Sequence, residues 1–511
     1  MTRRCATTTT ITTSGAAFLL GLVVAGAPGL TNAANTPSPN EAIPKPECNA
    51  SLTVSIRYSS SSERLYVESS NSTVRGGCAT LGDIWQERGG KAPLYAVDSD
   101  TNEISDVETG TWLLTEELYV EDGVTLQVHG TGVGGDADEL RLLSTSETFI
   151  NLRAHGGSLD FWGTKVFSWD NSTNAPDEDE TDGRSYISAV SEIIVDEDET
   201  CYGRAKNTMG EARMDIEDSE MAYLGYHDSE SYGLTWKVRG FCSNKTNPEV
   251  FDSVNVYGNI YNSDIHHNNF GLYTYGHQQG DWRNNTMHDN SGYGFDPHDD
   301  SDYLTIHDNV VYNNGYHGII ASKRCNGVSI QGNEVYGGAS SSAGIFLHRS
   351  SDDAVVKGNY VHDNGDAGIA LLESFNATVS DNVFENNKYG VRMSVGCANN
   401  VFSSNVIQNS TKYNAYTYLG SDAPDIVDSG RPQDNIFSDN YISGGLESIK
   451  LKEADGTQFL DNTFENATTI RFDDSTDTVM IGNEGLDDAE LKVTNDACFD
   501  SSSDDGYEPF C

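Results

Sequence analysis

From about residue 108 onward, polar and apolar residues alternate in short runs, as in Thr111-Trp112-Leu113-Leu114 and Gly123-Val124-Thr125-Leu126-Gln127-Val128. A period of two sends successive side chains to opposite faces of a strand, and no stretch sustains a helical period. Between 230 and 485 the runs repeat. A Gly followed by a short alternating strand recurs at Gly233, Gly271, Gly294, Gly318, Gly344, Gly368 and Gly390, at intervals of 22 to 26 residues after the first step. Each repeat also carries an Asn before an apolar strand, at Asn309, Asn333, Asn359, Asn382, Asn405, Asn440, Asn462 and Asn483. Repeats that cannot bury an apolar face alone must stack. A leucine-rich solenoid would need a Leu frame that is absent, so the pattern predicts an all-β, right-handed parallel β-helix. Its Asn side chains should stack at one turn, bonding backbone and each other.

In such a solenoid, equivalent residues of neighbouring coils lie ~4.8 Å apart, so the register maps a surface. Aligned on the Gly, the first and third positions, such as Leu272/Thr274, Phe295/Pro297 and Ile345/Leu347, face inward. The second positions then face outward as Thr235, Tyr273, Asp296, Ile320, Phe346, Ala370 and Arg392, and the fourth as Lys237, Tyr275, His298, Ser322, His348, Leu372 and Ser394. A face with Tyr273, Tyr275, Asp296, His298, Phe346 and His348 side by side offers rings for pyranose stacking and polar groups between them. Arg239, Lys323, Arg324 and Arg349 follow along its edge, where they would form a basic strip for carboxylates. Cys325 and Cys397 share one column but sit three coils apart, roughly 14 Å, beyond disulfide reach.

Composition adds context. Fifty Gly, 25 Tyr and only 12 Pro in 511 residues suit a turn-rich β protein. The net charge of −47 argues against nucleic acid or an anionic membrane as partner, and makes a polyanionic substrate depend on a local cationic groove. Residues 1–34 read as a secretory signal peptide, with Arg3 and Arg4, an apolar run from Ala16 to Ala27, and small residues at Thr31-Asn32-Ala33. A Pro-rich linker at 35–47, a small N-terminal β region at 48–107, the β-helix at 108–485 and an acidic tail at 486–511 complete the expected organisation. After signal removal eight cysteines remain, an even number in an oxidising route. The simplest pairing joins Cys48 with Cys78, Cys201 with Cys242 and Cys498 with Cys511. Asn-X-Ser/Thr sequons, including Asn49, Asn244 and Asn376, would be glycosylated in a eukaryotic host.

The most unusual segment is Tyr293-Gly294-Phe295-Asp296-Pro297-His298-Asp299-Asp300, which places a Pro inside a strand between acids and a His. Read alone it is an edge defect with a solvated His. Yet His298 shares a face with Tyr275 and lies one coil from Lys323 and Arg324. The segment resembles the mannuronan C5-epimerases of the alginate pathway, bacterial periplasmic and brown-algal, whose hallmark is Asp-Pro-His-Asp, here residues 296–299. The likeness continues in His317-Gly318-Ile319-Ile320-Ala321-Ser322-Lys323-Arg324, in Tyr223-Leu224-Gly225-Tyr226 and in Tyr232-Gly233-Leu234. It covers about residues 108–420, while 48–107 and the tail lack a counterpart.

The resemblance implies a pectin-lyase-like β-helix acting on polymannuronate or alginate, with His298 as general base and Arg324 neutralising the substrate carboxylate. That division suits the chemistry, because a uronate C5 proton is weakly acidic until a cation takes up the developing charge. Asp296 and Asp299 would orient His298, with Tyr275 and Lys323 in support. Lys237, Arg239, Tyr273, Phe346, His348, Arg349 and Arg392 would bind substrate. Reprotonation from the opposite face would come from water, Tyr275 or His348. No cofactor is required. Calcium is left open, since Asp299-Asp300-Ser301-Asp302 and Asp352-Asp353 lack a defined loop pattern, and no zinc spacing occurs. The expected protein is a secreted monomer that meets no membrane once its signal is cleaved. A polyuronate lyase and a non-catalytic polysaccharide-binding β-helix are the alternatives.

Overall fold

The computed structural model describes residues 40–501 except 50, 72–74, 196–198, 204–210, 229, 244, 252 and 496. The expected signal peptide, Asn244 and Cys511 therefore lie outside the described residues, as does part of the linker. The alternation read from the sequence becomes coils of a right-handed parallel β-helix, each contributing one strand to each of three long sheets. One sheet carries the Gly-led strands: β1 (Gly233–Arg239), β2 (Phe270–Tyr275), β3 (Phe295–His298), β4 (Ile319–Ser322), β5 (Ile345–His348), β6 (Ala367–Leu372) and β7 (Tyr389–Ser394). All pair in parallel with their neighbours.

Their register is the one the glycines predict. Tyr273 pairs with Asp296 and Tyr275 with His298; His298 then pairs with Ser322, and Ser322 with His348. The glycines are needed because rungs approach closely there: a Cβ on Gly294 would stand 2.4 Å from the Gly318 carbonyl oxygen, and one on Gly318 2.9 Å from that of Gly344. Inside, Leu272, Phe295, Ile319, Ile345 and Ile369 are fully buried, in one apolar core that extends from Leu65 to Phe499. Core rings stack rung upon rung, with Phe402, Phe437 and Phe459 at 4.7 and 4.8 Å between centroids.

The Asn column forms as expected. Each Nδ2 donates to the next Oδ1, from Asn285 through Asn309, Asn333, Asn359, Asn382, Asn405, Asn440 and Asn462 to Asn483, at 2.9–3.0 Å. Cys48–Cys78 and Cys201–Cys242 are bonded, Cys498 is disulfide-bonded, and Cys325 and Cys397 are separate buried thiols.

Two boundaries differ from expectation. Residues 48–107 are no separate region: Arg64–Ser69 pairs in parallel with Glu117–Glu121 and Gly77–Thr80 with Val124–His129, so the first coil starts there. Helix α1 (Leu81–Arg88), opened by a Thr80/Asp83 capping box and closed by Gly89 at φ 65°, packs Leu81 and Ile84 into the same core. At the other end, Glu490–Thr494 and Phe499–Ser501 add a further coil where a tail was expected. Among the described residues no helix is long and apolar enough to cross a membrane.

Candidate active site

On the outer face of β2–β5 lies a cleft of about 450 Å³ lined by His227, Tyr232, Phe270, Tyr273, Tyr293, Asp296, His298, His317, Ile320, Ser322, Lys323, Phe346 and His348. The alternation that buries Phe295 and Pro297 turns Asp296 and His298 toward it. Each of β3 to β5 then ends in two successive non-Gly residues with left-handed backbone: Asp299 and Asp300, Lys323 and Arg324, Arg349 and Ser350. This sharp turn, costly for non-Gly residues, brings Asp299 and Lys323 back beside the strand ends.

His298 Nδ1 lies 2.6 Å from Asp299 Oδ2. The approach is close but out of line with the ring N–H, so it is a close contact rather than a well-formed hydrogen bond. Burial works against ionisation of Asp299, but His298, Lys323 and Arg324 outweigh it and hold the carboxyl below its usual value. Asp299 is thus an anion placed beside the Nδ1 edge of His298, with Nε2 on the other edge of the ring. Asp296 is the opposite case. It is 2% exposed and its Oδ1 has no hydrogen-bond partner among the described residues, and burial, only partly offset by His298, pushes it up to about 7. Burial also keeps two neighbouring imidazoles neutral: His317 and His348 are both lowered to about 4. His348 Nδ1 stands 2.9 Å from Ser322 Oγ.

The expected site residues divide. Asp296, His298, Lys323, Tyr273, Phe346 and His348 come together in the cleft. Arg324 points to its flank, where Nε and Nη2 hold Asp300 at 2.9–3.2 Å and Nη2 holds Asp299 at 2.7 Å. Tyr275 packs edge-on against Phe251, 5.8 Å from the Lys237 ammonium, and stays off the cleft lining. Of the expected basic strip only Lys323 is left without an ion pair among the described residues, since acids meet Arg239, Arg324 and Arg349, and they also meet the expected substrate-binding Lys237 and Arg392. Glu230 holds Lys237 at 3.3 Å and also Arg239; Glu373 and Asp425 hold Arg349 at 2.6 and 3.1 Å; and Asp366 holds Arg392 at 3.1 Å. Lys323, exposed at the cleft, makes no ion pair among the described residues.

An aromatic wall went unread. Tyr232, Phe270, Tyr293 and His317 each precede a repeat Gly, and their rings follow one another at 4.5, 5.0 and 5.7 Å before His317 meets Phe346 at 4.8 Å. The signal was in the sequence, as a column of rings one place before the glycines rather than after them. As to metals, Arg324 engages Asp299 and Asp300, while Asp302 accepts the Asn326 N–H at 2.7 Å. Elsewhere Asp264, His266 and His288 bring ligand atoms together, but the two imidazoles stack at 4.9 Å and 20°, so their in-plane lone pairs do not converge.

Residues 237–420 match the family described as periplasmic copper-binding protein (NosD). Mannuronan C5-epimerases from Pseudomonas putida and Azotobacter vinelandii (AlgG) are 28% and 27% identical over 57% of this chain, and one from Pseudomonas syringae is 33% identical over 33%. The chain resembles the mannuronan C5-epimerases. It spans half the length of the first two of these curated relatives and 31% of the third. The crystal structure of the periplasmic alginate epimerase AlgG has the same fold, with 20% identity and a TM-score of 0.59 over 84% of each chain.

Proposed function

We infer that the protein is an enzyme that inverts C5 of β-D-mannuronate units in polymannuronate or alginate, giving α-L-guluronate. The observation that carries this reading is one cleft on the solenoid face in which an imidazole backed by a carboxylate stands beside an ammonium that makes no ion pair among the described residues. His298 Nε2 removes H5 while Asp299 keeps the proton on Nδ1. Lys323 meets the substrate carboxylate first and takes up the charge that grows on it, and Asp296, protonated in part near neutrality, adds a hydrogen bond. Arg324 reaches the same carboxylate only by giving up one of its aspartates, so its first task is to hold Asp299 and Asp300. The returning proton comes from the other face of the ring, from water or from a phenol of the aromatic wall. Tyr293, pushed up to about 12 by burial and Asp296, keeps its proton until then.

The likeness to named epimerases supports the substrate, and the disulfides support an oxidising compartment outside the cytosol. Proton NMR of polymannuronate incubated with the protein in D2O tests the reading. Guluronate signals with deuterium at C5 and unchanged chain length are expected, and His298→Ala should abolish them. Unsaturated ends on shortened chains would mean a lyase, and binding without conversion a carbohydrate-binding module.

A further inference from the structure

The outward column that carries Asp296 does not stop at the cleft. Six rungs on, counted strand by strand, it has passed Arg392 and Tyr416 and reached Lys450. Around it a second surface is assembled. Tyr389 and Tyr413 are nearly buried, and Tyr416 stacks on Tyr389 at 5.2 Å and 21° and meets Tyr413 at 5.0 Å. Two lysines lie over these rings. The Lys412 ammonium is 5.1 Å from the centroid of Tyr413 and 3.4 Å from the Tyr389 hydroxyl; that of Lys450 is 5.1 Å from the Tyr413 centroid and 3.4 Å from its hydroxyl. Neither has a carboxylate within ion-pair distance among the described residues.

In a chain of net charge −47, that is a selective omission. On the other side of the cleft the same face also presents cations over tyrosines, Arg57 at Tyr66 and Arg64 at Tyr119, but Glu68 and Glu117 neutralise them. Ammonium groups positioned by aromatic faces and left without acids are available to an anion. Arg392, 6.0 Å from the Phe346 ring and hydrogen-bonded to the Tyr418 hydroxyl at 3.1 Å, joins this surface to the cleft without a break.

We propose that the Tyr389–Tyr413–Tyr416 surface with Lys412 and Lys450 is a distal binding site for the same polyuronate, taking carboxylates of units about five to six rungs, ~24–29 Å, from the reacting sugar. A 1,4-linked pyranose is about as long as the ~4.8 Å rung spacing, so the chain can lie along the face with roughly one unit per coil and its stretch beyond the cleft anchored on the C-terminal side. The proposal rests on the reading of the cleft as a uronan site. Its consequence is a dependence on length: an oligomer too short to reach Lys412 is held by the cleft alone.

The test compares a tetramannuronate with polymannuronate on the full chain, by calorimetric binding and by initial epimerisation rate. Lys412→Ala/Lys450→Ala should weaken polymannuronate binding about tenfold and tetramer binding less than twofold, with the Arg/Arg double variant restoring the long-chain affinity. Unchanged melting temperatures identify folded variants. If the wild type binds polymannuronate no more tightly than the tetramer, or the double Ala variant loses both equally or neither, the distal site is refuted while the cleft assignment stands. If the wild type binds and converts neither, the reading of the cleft fails and the distal site with it.

Discussion

At His298 the local arrangement separates three jobs that sit on adjacent residues. Asp299 lies against His298 Nδ1, Arg324 holds Asp299, and Lys323 faces the cleft. Asp299→Asn keeps the shape but removes the anion beside Nδ1; if His298 is the base, as proposed, it loses the group that fixes its tautomer, and kcat on polymannuronate should fall by about 100-fold or more with KM changed little. Lys323→Ala and Arg324→Ala should differ in kind. On the proposed reading the first removes a cation that meets substrate and should raise KM as well as lower kcat, whereas the second frees Asp299 and Asp300 to repel each other and should act mainly through kcat and the pH profile. Equal effects on KM would place the guanidinium on the substrate after all. Asp296 offers a separate test in stability. Its folded carboxyl holds a proton up to about 7, well above the ordinary value of 3.8, so it costs nothing in acid and destabilises progressively as pH rises from about 4 through 7. In Asp296→Asn that penalty is absent. Urea unfolding should show the variant gaining on the wild type between pH 4 and 8, by an amount on the order of a few kcal/mol, and no gain would mean the carboxyl ionises normally in its pocket.

One level up, the element that organises everything is the rung, and most of it was legible. Glycine spacing predicted which side chain stands above which from Tyr273 to Arg392, because a one-residue slip would send every core residue to solvent. The Asn ladder was legible for the same reason. Asn359 shows its strength: Oδ1 accepts from Asn333 N and Nδ2, and Nδ2 donates to Ile330 O and Asn382 Oδ1, each at 2.9 Å. Asn359→Ala strands several buried partners at once and should cost about 2–4 kcal/mol in chemical denaturation. A loss below about 1 kcal/mol would mean that water replaces the amide. A second ladder, Asn268 to Asn290 to Asn314 and Asn364 to Asn387, follows five residues behind the first and is interrupted where Gly338 stands. Its sequence signal is the weaker of the two, because Gly338 and Ser410 break the column of Asn. What the register could not reveal is charge pairing. Whether Arg349 is free depends on Glu373, Asp422 and Asp425, the latter two arriving from an insertion several coils away, and no local pattern announces such partners. The two ends were misjudged for a related reason: terminal coils have neighbours on one side only, so their strands carry weaker alternation and a helix or hairpin takes over part of the covering.

For the molecule as a whole, the proposed function requires a chain of net charge −47 to approach a polymer with one negative charge per sugar. Acidic side chains neutralise most cations along the binding face, so attraction is confined to contact range at Lys323 and, by the proposal above, at Lys412 and Lys450, while repulsion acts over the whole surface. These two terms respond differently to salt. Screening shortens the range of the repulsion to about 10 Å at 0.1 M ionic strength, whereas a close ammonium–carboxylate pair on a desolvated aromatic surface is weakened less. Affinity for polymannuronate should therefore rise as salt is added from about 0.01 to 0.1 M and fall only above that, giving a maximum in a titration series. A basic polyanion-binding protein would lose affinity from the first addition. A monotonic fall here would show that the local field of the face already prevails at low salt, and that the acidic remainder of the solenoid is too distant to be felt by the bound chain.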